Sequence, residues 1–274
     1  MATVSSGEPT PHPTDTLRHT FESKELMAPS VANSTVLVTG ANGGLGTQFV
    51  RQALELGASK VYATARSPRA WVDPRIVPLP LDVTDESSIA HAVAAAADTT
   101  IVINNAGISP IPDRILTDDM REIRKTFETN FFGALAVARA FAPVVGANGG
   151  GAYLNVHSVL SWMVADPAGQ AGGHGAYSAA KSAFWSATNS LRLALADQGT
   201  HVLGLHFGYT DTPMTAQIVD DDKEDAADIV RIAYAALLAG DYEVSADARA
   251  QFAKQALSGP LEGLYPQLAH ASAI

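Results

Sequence analysis

The chain has 274 residues, 47% of them apolar and 17% charged, with a formal net charge of −10 and no cysteine. This balance is typical of a globular protein with a substantial core; it argues against a nucleic-acid partner and excludes disulfides and cysteine metal sites. We find neither a signal-peptide core nor an apolar run near the ~18 residues of a membrane span, so we expect a cytoplasmic protein without membrane contact.

Strand patterns alternate with helix patterns along most of the chain. Residues 1–33 are rich in Ser, Thr and Pro and lack periodicity, which predicts a disordered N-terminal extension. Short apolar runs predict strands at 35–39, 61–65, 76–83, 100–104, 152–157, 201–207 and 242–244. Helical spacing predicts helices at 45–56, 85–97, 117–145 with a break near Pro143, 177–197, 224–239 and at the C-terminal end.

This alternation indicates an α/β protein with one domain over residues 34–274. The expected architecture is a single-domain, Rossmann-like, doubly wound parallel sheet with helices on both faces.

A glycine-rich turn follows the first predicted strand. Gly40, Gly44 and Gly46 lie where the strand leads into a helix, and such a turn lets backbone N–H groups approach a pyrophosphate. The spacing differs from the common G-x-G-x-x-G fingerprint. A tight turn between strand and helix, without any ligand, is the alternative.

Tyr177 and Lys181 are four residues apart on a predicted helix. That spacing puts the phenol and the ammonium on one face, where the ammonium is expected to lower the phenol pKa from its usual ~10. The pair predicts an acid/base group. A chance pair on an exposed helix is the alternative while the two residues are considered alone.

Taken in order, the motifs resemble the single-domain branch of the short-chain dehydrogenase/reductase family. The matching segments are Thr39 to Gly46, Leu81 to Val83, Asn104 to Gly107, Asn130, Asn155 to Ser158, Tyr177 to Lys181 and Gly208 to Met214. The resemblance implies hydride transfer between a nicotinamide cofactor and a small-molecule ketone or secondary alcohol. Two alternatives stay open: a cofactor-sensing binding protein without turnover, and an epimerase or dehydratase of the same family.

The resemblance also assigns the catalytic roles. Tyr177 would transfer the proton, and Lys181 would tune the phenol and bind the nicotinamide ribose. Ser158 would position the substrate oxygen, with Ser161 as the second candidate, and Asn130 would hold a relay water. The family motif Asn-x-Ser-Ser reads Asn-Val-His-Ser at 155–158 in this chain.

We expect NADP(H) rather than NAD(H). An NAD enzyme of this fold offers an acidic side chain after the second strand, whereas this chain has Ala65 followed by Arg66, and a guanidinium suits a 2′-phosphate. Arg69 is near enough to help. The alternative is that Arg66 is only a solvated turn residue. The predicted cofactor-binding residues are Gly40, Asn42, Gly43, Gly44, Leu45, Gly46, Arg66, Asp82, Val83, Asn105, Ala106, Gly107, Tyr177, Lys181, Gly208, Thr210 and Thr212.

The segments after the serine and after the sixth strand are expected to border the substrate. The predicted pocket residues are His157, Trp162, His174, Tyr209 and Met214, with a substrate loop at about 208–225 and an insertion at 168–174. Apolar walls of this kind suit a hydrophobic ketone or alcohol. No metal site is expected, and the resemblance implies a homodimer or homotetramer.

Overall fold

The computed structural model describes residues 28–165, 173–219 and 223–268 of the chain. Seven strands form one sheet: β1 Thr35–Val38, β2 Lys60–Ala65, β3 Ile76–Pro80, β4 Ile101–Asn104, β5 Gly151–Val156, β6 Thr200–His206 and β7 Glu243–Ser245. Their spatial order is β3-β2-β1-β4-β5-β6-β7, and every pairing is parallel. The predicted doubly wound parallel sheet is therefore confirmed, and its strand order reverses between β1 and β4.

Helices connect the strands. They are α1 Gly44–Glu55, α2 Glu86–Ala95, α3 Met120–Phe127, α4 Ala134–Ala147, α5 Gly175–Ala194, α6 Ala226–Ala239 and α7 Ala248–Ala256. Four of the helices have an aspartate at the N-cap position, whose side chain accepts hydrogen bonds from backbone N–H groups of the first turn. These are Asp85 for α2, Asp119 for α3, Asp225 for α6 and Asp247 for α7. Such caps satisfy N–H groups that have no partner within the helix.

The sheet is covered on both faces because neighbouring strand residues point to opposite sides. Val36 and Val38 belong to one core cluster, with Phe49 of α1 and Tyr234 of α6. Leu37, between the two valines, belongs to a second cluster with residues of α2 and α4. Strands buried on both faces explain why the chain shows short continuous apolar runs rather than strict alternation.

One helix runs from Met120 to Ala147, and the predicted break near Pro143 is wrong. Pro143 lies inside α4, on its exposed side, while the irregular turn is a π-helical segment at Glu128–Gly133. Here the side-chain amide of Asn130 donates to the Thr126 carbonyl, at 3.0 Å, and a side chain inserted into the backbone ladder is a common cause of irregularity. By length and composition alone this helix could cross a membrane, yet Phe141 is fully buried against the sheet.

Residues 28–33, which were predicted to belong to the extension, are part of the described fold. Val31 falls in the segment predicted as an extension, but it is buried in the first core cluster, and Asn33 donates its N–H to the Gly57 carbonyl, at 2.8 Å. The rest of that predicted extension, 1–27, lies outside the described residues. So do residues 168–172 of the predicted insertion and 220–222 of the predicted substrate loop.

Candidate active site

The glycine turn lies at the carboxyl end of β1, where the strand order reverses. Gly40 has a φ of +68°, and a Cβ on Gly46 would lie 2.2 Å from the Gly40 carbonyl oxygen. A side chain therefore fits neither position without displacing backbone. Helix α1 begins at Gly44 without a side-chain cap, so the turn exposes the start of a helix to the cleft.

A second loop, after β4, packs directly against this turn. The Thr39 hydroxyl accepts hydrogen bonds from the backbone N–H groups of Asn105 and Ala106, both at 2.9 Å. The Asn105 side-chain amide donates to the carbonyls of Thr39 and Gly40, at 2.8 and 3.2 Å. These bonds fix the two loops as one wall of the cleft.

Three predicted catalytic side chains meet on the opposite wall. Helix α5 carries Tyr177 and Lys181, and Ser158 follows β5. The Lys181 ammonium donates to the Val156 carbonyl, at 2.8 Å, and lies 5.7 Å from the centre of the Tyr177 ring. All three line a cavity of about 610 Å³ that also includes the glycine turn.

Burial dominates the electrostatics of the pair. It raises the pKa of Tyr177 to about 12, against a lowering contribution from a hydrogen bond with the Ser158 side chain. It lowers the pKa of Lys181 to about 8. The predicted lowering of the phenol pKa is thus wrong for the protein side chains alone, because burial of the phenol raises its pKa by more than the Ser158 hydrogen bond lowers it.

Of the two candidate serines, only Ser158 lies in this cavity. Its hydroxyl accepts a hydrogen bond from the Leu160 N–H, at 3.1 Å. Ser161 points away: its hydroxyl faces the Ser158 N–H at 3.4 Å, and its carbonyl accepts from the Ser182 hydroxyl at 2.8 Å. The geometry selects Ser158 as the residue able to touch a substrate.

Asn130 lies behind the loop after β4, in the π-helical segment. Its side chain accepts from the Ile108 N–H at 3.0 Å and donates to the Ile108 carbonyl at 2.8 Å. A Cβ on Gly107 would lie 2.8 Å from the Asn130 oxygen and 3.9 Å from the Lys181 nitrogen. Asn130 therefore fixes the backbone beside Lys181, while its predicted role in holding a water stays a prediction.

The predicted pocket residues divide into two groups. His157, His174, Tyr209 and Met214 line the cavity of the catalytic residues. Trp162 does not, and its prediction as a pocket wall is wrong. Its indole stacks on the His206 imidazole with ring centres 3.8 Å apart, in a separate cluster beneath α7.

His157 is buried and stacks between His206 and Phe184, with ring centres 4.8 and 4.9 Å away. Burial, with the nearby His206 as a second cause, holds its pKa well below the ordinary range. A neutral imidazole behind the catalytic lysine is therefore part of the wall rather than a charged group.

The predicted cofactor residues line two connected cavities. The second has a volume of about 1040 Å³ and shares Gly40, Gly43, Ala106 and Gly107 with the first. Its other predicted members are Asn42, Arg66, Asp82 and Val83. All the remaining cofactor residues predicted from the sequence line the first cavity.

Arg66 is exposed at the rim of the second cavity. Arg69, its predicted helper, is engaged elsewhere: its guanidinium lies 4.0 Å from the centre of the Trp71 ring and donates to the Thr47 hydroxyl, at 3.2 Å. Three cations of α3 that were not predicted from the sequence reach the same cavity: Arg121, Arg124 and Lys125. Their spacing resembled a solvated helix face, so only the fold brings them to the site.

The loop after β6 closes over the start of α1. A Cβ on Gly44 would lie 2.7 Å from the Thr212 methyl group, so Gly44 permits this contact. Thr210 lines the cavity of the catalytic residues, and its buried hydroxyl has no hydrogen-bond partner in the part of the chain that the structure describes. Within residues 28–165, 173–219 and 223–268, no group of three or more His, Asp or Glu side chains is arranged to hold a metal ion.

Asp113, in the loop between β4 and α3, was also missed. Its buried carboxylate accepts hydrogen bonds from the N–H groups of Ala176 and Tyr177, at 3.0 and 2.8 Å. It caps the helix that carries the catalytic pair from more than sixty residues away in the chain. No local sequence signal marks such a long-range cap.

Comparisons with known proteins agree with this geometry. A short-chain dehydrogenase of Penicillium ochrochloron, ptmH, is 33% identical over 193 residues, which cover 65% of this chain and 66% of that protein. The galactitol 2-dehydrogenase (L-tagatose-forming) of Cereibacter sphaeroides is 32% identical over 193 residues, covering 66% of this chain and 73% of that enzyme. The chain thus spans slightly less than two thirds of the first relative's length.

A solved structure of a short chain dehydrogenase from Burkholderia cenocepacia J2315, in complex with NADP, is similar with a TM-score of 0.79 and 33% identity. That similarity covers 87% of this chain and 98% of the Burkholderia chain. A family model described as short chain dehydrogenase matches residues 34–223, well over half of the sequence. The chain belongs to the short-chain dehydrogenase family.

Proposed function

We propose that this protein is an NADP(H)-dependent oxidoreductase that interconverts a hydrophobic ketone and its secondary alcohol. One observation carries the proposal: the Ser158 hydroxyl, the Tyr177 phenol and the Lys181 ammonium line one cavity together with the glycine turn. A group bound at the turn and a substrate oxygen beside the phenol would therefore share one enclosed space.

The residues present fit a nicotinamide dinucleotide. The uncapped start of α1 suits a pyrophosphate. The buried Thr210 hydroxyl has no hydrogen-bond partner among the described residues and can bond to a polar group of the cofactor. When bound, the cofactor supplies the hydride; the protein contributes position and electrostatics.

The side chains suit a proton donor for carbonyl reduction. Ser158 would hold the carbonyl oxygen beside Tyr177, whose pKa of about 12 keeps the phenol protonated at neutral pH. That is the form that gives a proton to a developing alkoxide. Lys181 would stabilise the phenolate left behind, and Asn130 supports the backbone against which Lys181 lies.

Apolar side chains predominate in the rest of the cavity wall, which also includes Ser109, Thr215 and Arg249. The apolar side chains that line the cavity include Ile111, Leu160, Met163, Met214, Ile218 and Phe252. Pockets of this kind bind ligands with a substantial apolar part, which supports a hydrophobic substrate.

The reaction is tested by measuring turnover of a panel of ketones and alcohols, with NADPH absorbance as the signal. We expect Tyr177→Phe to keep less than about a tenth of the wild-type turnover while folding and NADPH binding persist. Tyr242→Phe, a change at a half-exposed ring near β7, is the matched control and should retain activity. Tight NADPH binding without turnover of any panel member would favour a cofactor sensor instead.

The NADP preference rests on Arg66 and on the cations that α3 adds to the same cavity. The similar Burkholderia structure, which holds NADP, supports it. A charge-assisted pair with the 2′-phosphate is worth about ten- to a hundredfold in discrimination. We expect Arg66→Ala to lower the NADPH/NADH ratio of kcat/KM by that factor, and Arg75→Ala, at an exposed pair with Asp73, to leave it unchanged. An unchanged ratio in Arg66→Ala contradicts the assignment.

We also propose that the protein forms a dimer or tetramer through α3, α4 and the outer face of α5. Phe132, in the π-helical segment between α3 and α4, is 50% exposed, and Leu193 of α5 is 68% exposed. Apolar surface of this kind suits a subunit contact. Light scattering that shows only monomers at micromolar concentration contradicts this assembly.

The cytoplasmic location stays a prediction, which cell fractionation tests.

A further inference from the structure

The cavity contains polar side chains besides the catalytic residues, and His174 is the one that lies next to Tyr177. His174 precedes α5, three residues before Tyr177, and is only 2% exposed. Its imidazole lines the same cavity, and its centre lies 6.0 Å from the centre of the Tyr177 ring. A ligand whose oxygen hydrogen-bonds to the phenol therefore lies near this imidazole.

Among the described residues, only long contacts satisfy the His174 ring. The Ser109 hydroxyl lies 3.5 Å from Nδ1, and the Tyr209 hydroxyl lies 3.4 Å from Nε2, whereas ordinary hydrogen bonds of these groups are about 2.7–3.2 Å. A polar group buried in an apolar site costs free energy unless it is well bonded. A ligand oxygen in the cavity would supply the better bond.

The chemistry of the ring sets the kind of oxygen. Burial lowers the pKa of His174, and the nearby Asp113 opposes the shift only in part. A neutral imidazole presents one donor and one acceptor, which suit a hydroxyl or carbonyl group. The imidazole itself offers no countercharge for a carboxylate. The Arg249 guanidinium also lines the cavity, 5.5 Å from the centre of the Tyr209 ring, so the test includes a carboxylate substrate.

The position of the imidazole relative to the phenol is fixed by Asp113. The Asp113 carbonyl accepts from the Gly175 N–H at 3.4 Å, and its carboxylate holds the N–H groups of Ala176 and Tyr177. His174 and Tyr177 are thus part of one capped turn. Two hydrogen-bonding positions at a fixed separation discriminate well between substrates.

We infer that the substrate carries a second, uncharged oxygen on a carbon close to the reacting carbonyl, as in a hydroxyketone, and that His174 binds it. This inference rests on the proposed function and names the substrate class of that same cavity. His174 is then a specificity-determining residue. The apolar remainder of the substrate lies against residues such as Leu160, Met163 and Ile218.

A pair of ketones of nearly equal shape tests the inference. 2-Hydroxyacetophenone carries a hydroxyl where propiophenone carries a methyl group. We expect wild-type kcat/KM to favour the hydroxyketone by about tenfold or more, since a site built to bond a hydroxyl rejects an analogue that lacks it. We expect His174→Phe to lower kcat/KM for the hydroxyketone by about tenfold and for propiophenone by less than about threefold.

Two further variants serve as controls. His174→Gln keeps an uncharged donor and acceptor, and we expect it to retain part of the preference. His91→Phe makes the same substitution at an exposed histidine of α2, outside the cavity, and should leave the ratio unchanged. The α-hydroxyl also makes the carbonyl more reactive, so the wild-type ratio supports the role of His174 only if a variant lowers it. Where His174→Phe does not fold, His174→Gln supplies this comparison.

The outcomes separate the two proposals. Wild-type kcat/KM values that agree within about threefold, or an equal loss for both ketones in His174→Phe, overturn the role of His174 and leave the oxidoreductase proposal standing. A preference for the carboxylate benzoylformate that survives in His174→Phe overturns the uncharged-oxygen class. Absence of turnover with both ketones and with the wider panel overturns the oxidoreductase proposal, and the inference with it.

Discussion

Removal of the Asp113 carboxylate is expected to destabilise the protein through the helix that carries Tyr177 and Lys181. The side chain is 1% exposed, and its two oxygens accept from Ala176 and Tyr177 at 3.0 and 2.8 Å. His174, at the N-cap position of α5, makes no side-chain capping bond. Asp113→Ala therefore leaves the first turn of a buried helix without its acceptor.

The magnitude follows from the environment of these bonds. Loss of a helix cap costs about 0.5–2 kcal/mol, and a buried N–H left without a partner costs about 1–3 kcal/mol. Both figures describe the same two bonds, so they overlap. We expect a loss of about 2–4 kcal/mol in the free energy of unfolding, or roughly 5–15 °C in Tm for a domain of this size.

Asp85→Ala is the matched control for this change. Asp85 caps α2 with the same pattern, accepting from Ser87 and Ser88 at 2.8 and 3.2 Å, but at an exposed site. Water replaces an exposed cap, so we expect a loss of only about 1 kcal/mol. Thermal unfolding followed by circular dichroism measures both, and equal losses would refute the argument from burial.

Two further predictions concern the cleft. Gly46→Ala places a Cβ 2.2 Å from the Gly40 carbonyl oxygen, so we expect it to weaken NADPH binding by at least about tenfold in a fluorescence titration; wild-type affinity would contradict the close approach. Ser158→Ala should lower kcat/KM by about ten- to a hundredfold, whereas Ser161→Ala, outside the cavity, should stay within about threefold. Equal losses in the two serine variants would contradict the selection of Ser158.

Much of the fold could be predicted because the signals are local. Leu37 and its neighbours in β1 are apolar in an unbroken run, which marks a strand buried on both faces. The Asp85 helix cap and the glycine turn were predictable for the same reason, because each depends on residues that are adjacent in the chain. The Pro143 prediction failed because a proline on the exposed side of a helix can be tolerated when the inner face packs firmly.

Only those site residues that belong to a recognisable sequence motif could be predicted. Trp162 was misplaced because a residue four positions after Ser158 can turn to either side, and the stacking on His206 is a tertiary contact. Asp113 reaches the site from the loop before α3, and Arg124 reaches it from α3 itself. Nothing in their local sequence distinguishes them from solvated charges.

The failed expectation about the Tyr177 pKa leads to a test of Lys181. Burial lowers the pKa of Lys181 from 10.5 to about 8, so the folded protein releases this proton well before the unfolded chain does. Between these two pH values the unfolded state binds more protons, and the free energy of unfolding therefore rises with pH.

The size of this rise can be measured against a variant that lacks the ammonium. A shift of this size corresponds to roughly 3 kcal/mol. We expect the stability of the cofactor-free wild type, relative to Lys181→Met, to increase by up to that amount from about pH 8 to 10.5. Lys60→Met is the control, because the Lys60 pKa is raised by its hydrogen bond with Asp98, so that difference should stay flat over the range. If the difference in free energy of unfolding between wild type and Lys181→Met also stays constant from pH 8 to 10.5, the prediction is contradicted. The buried ammonium is then better stabilised than its hydrogen bond to the Val156 carbonyl suggests.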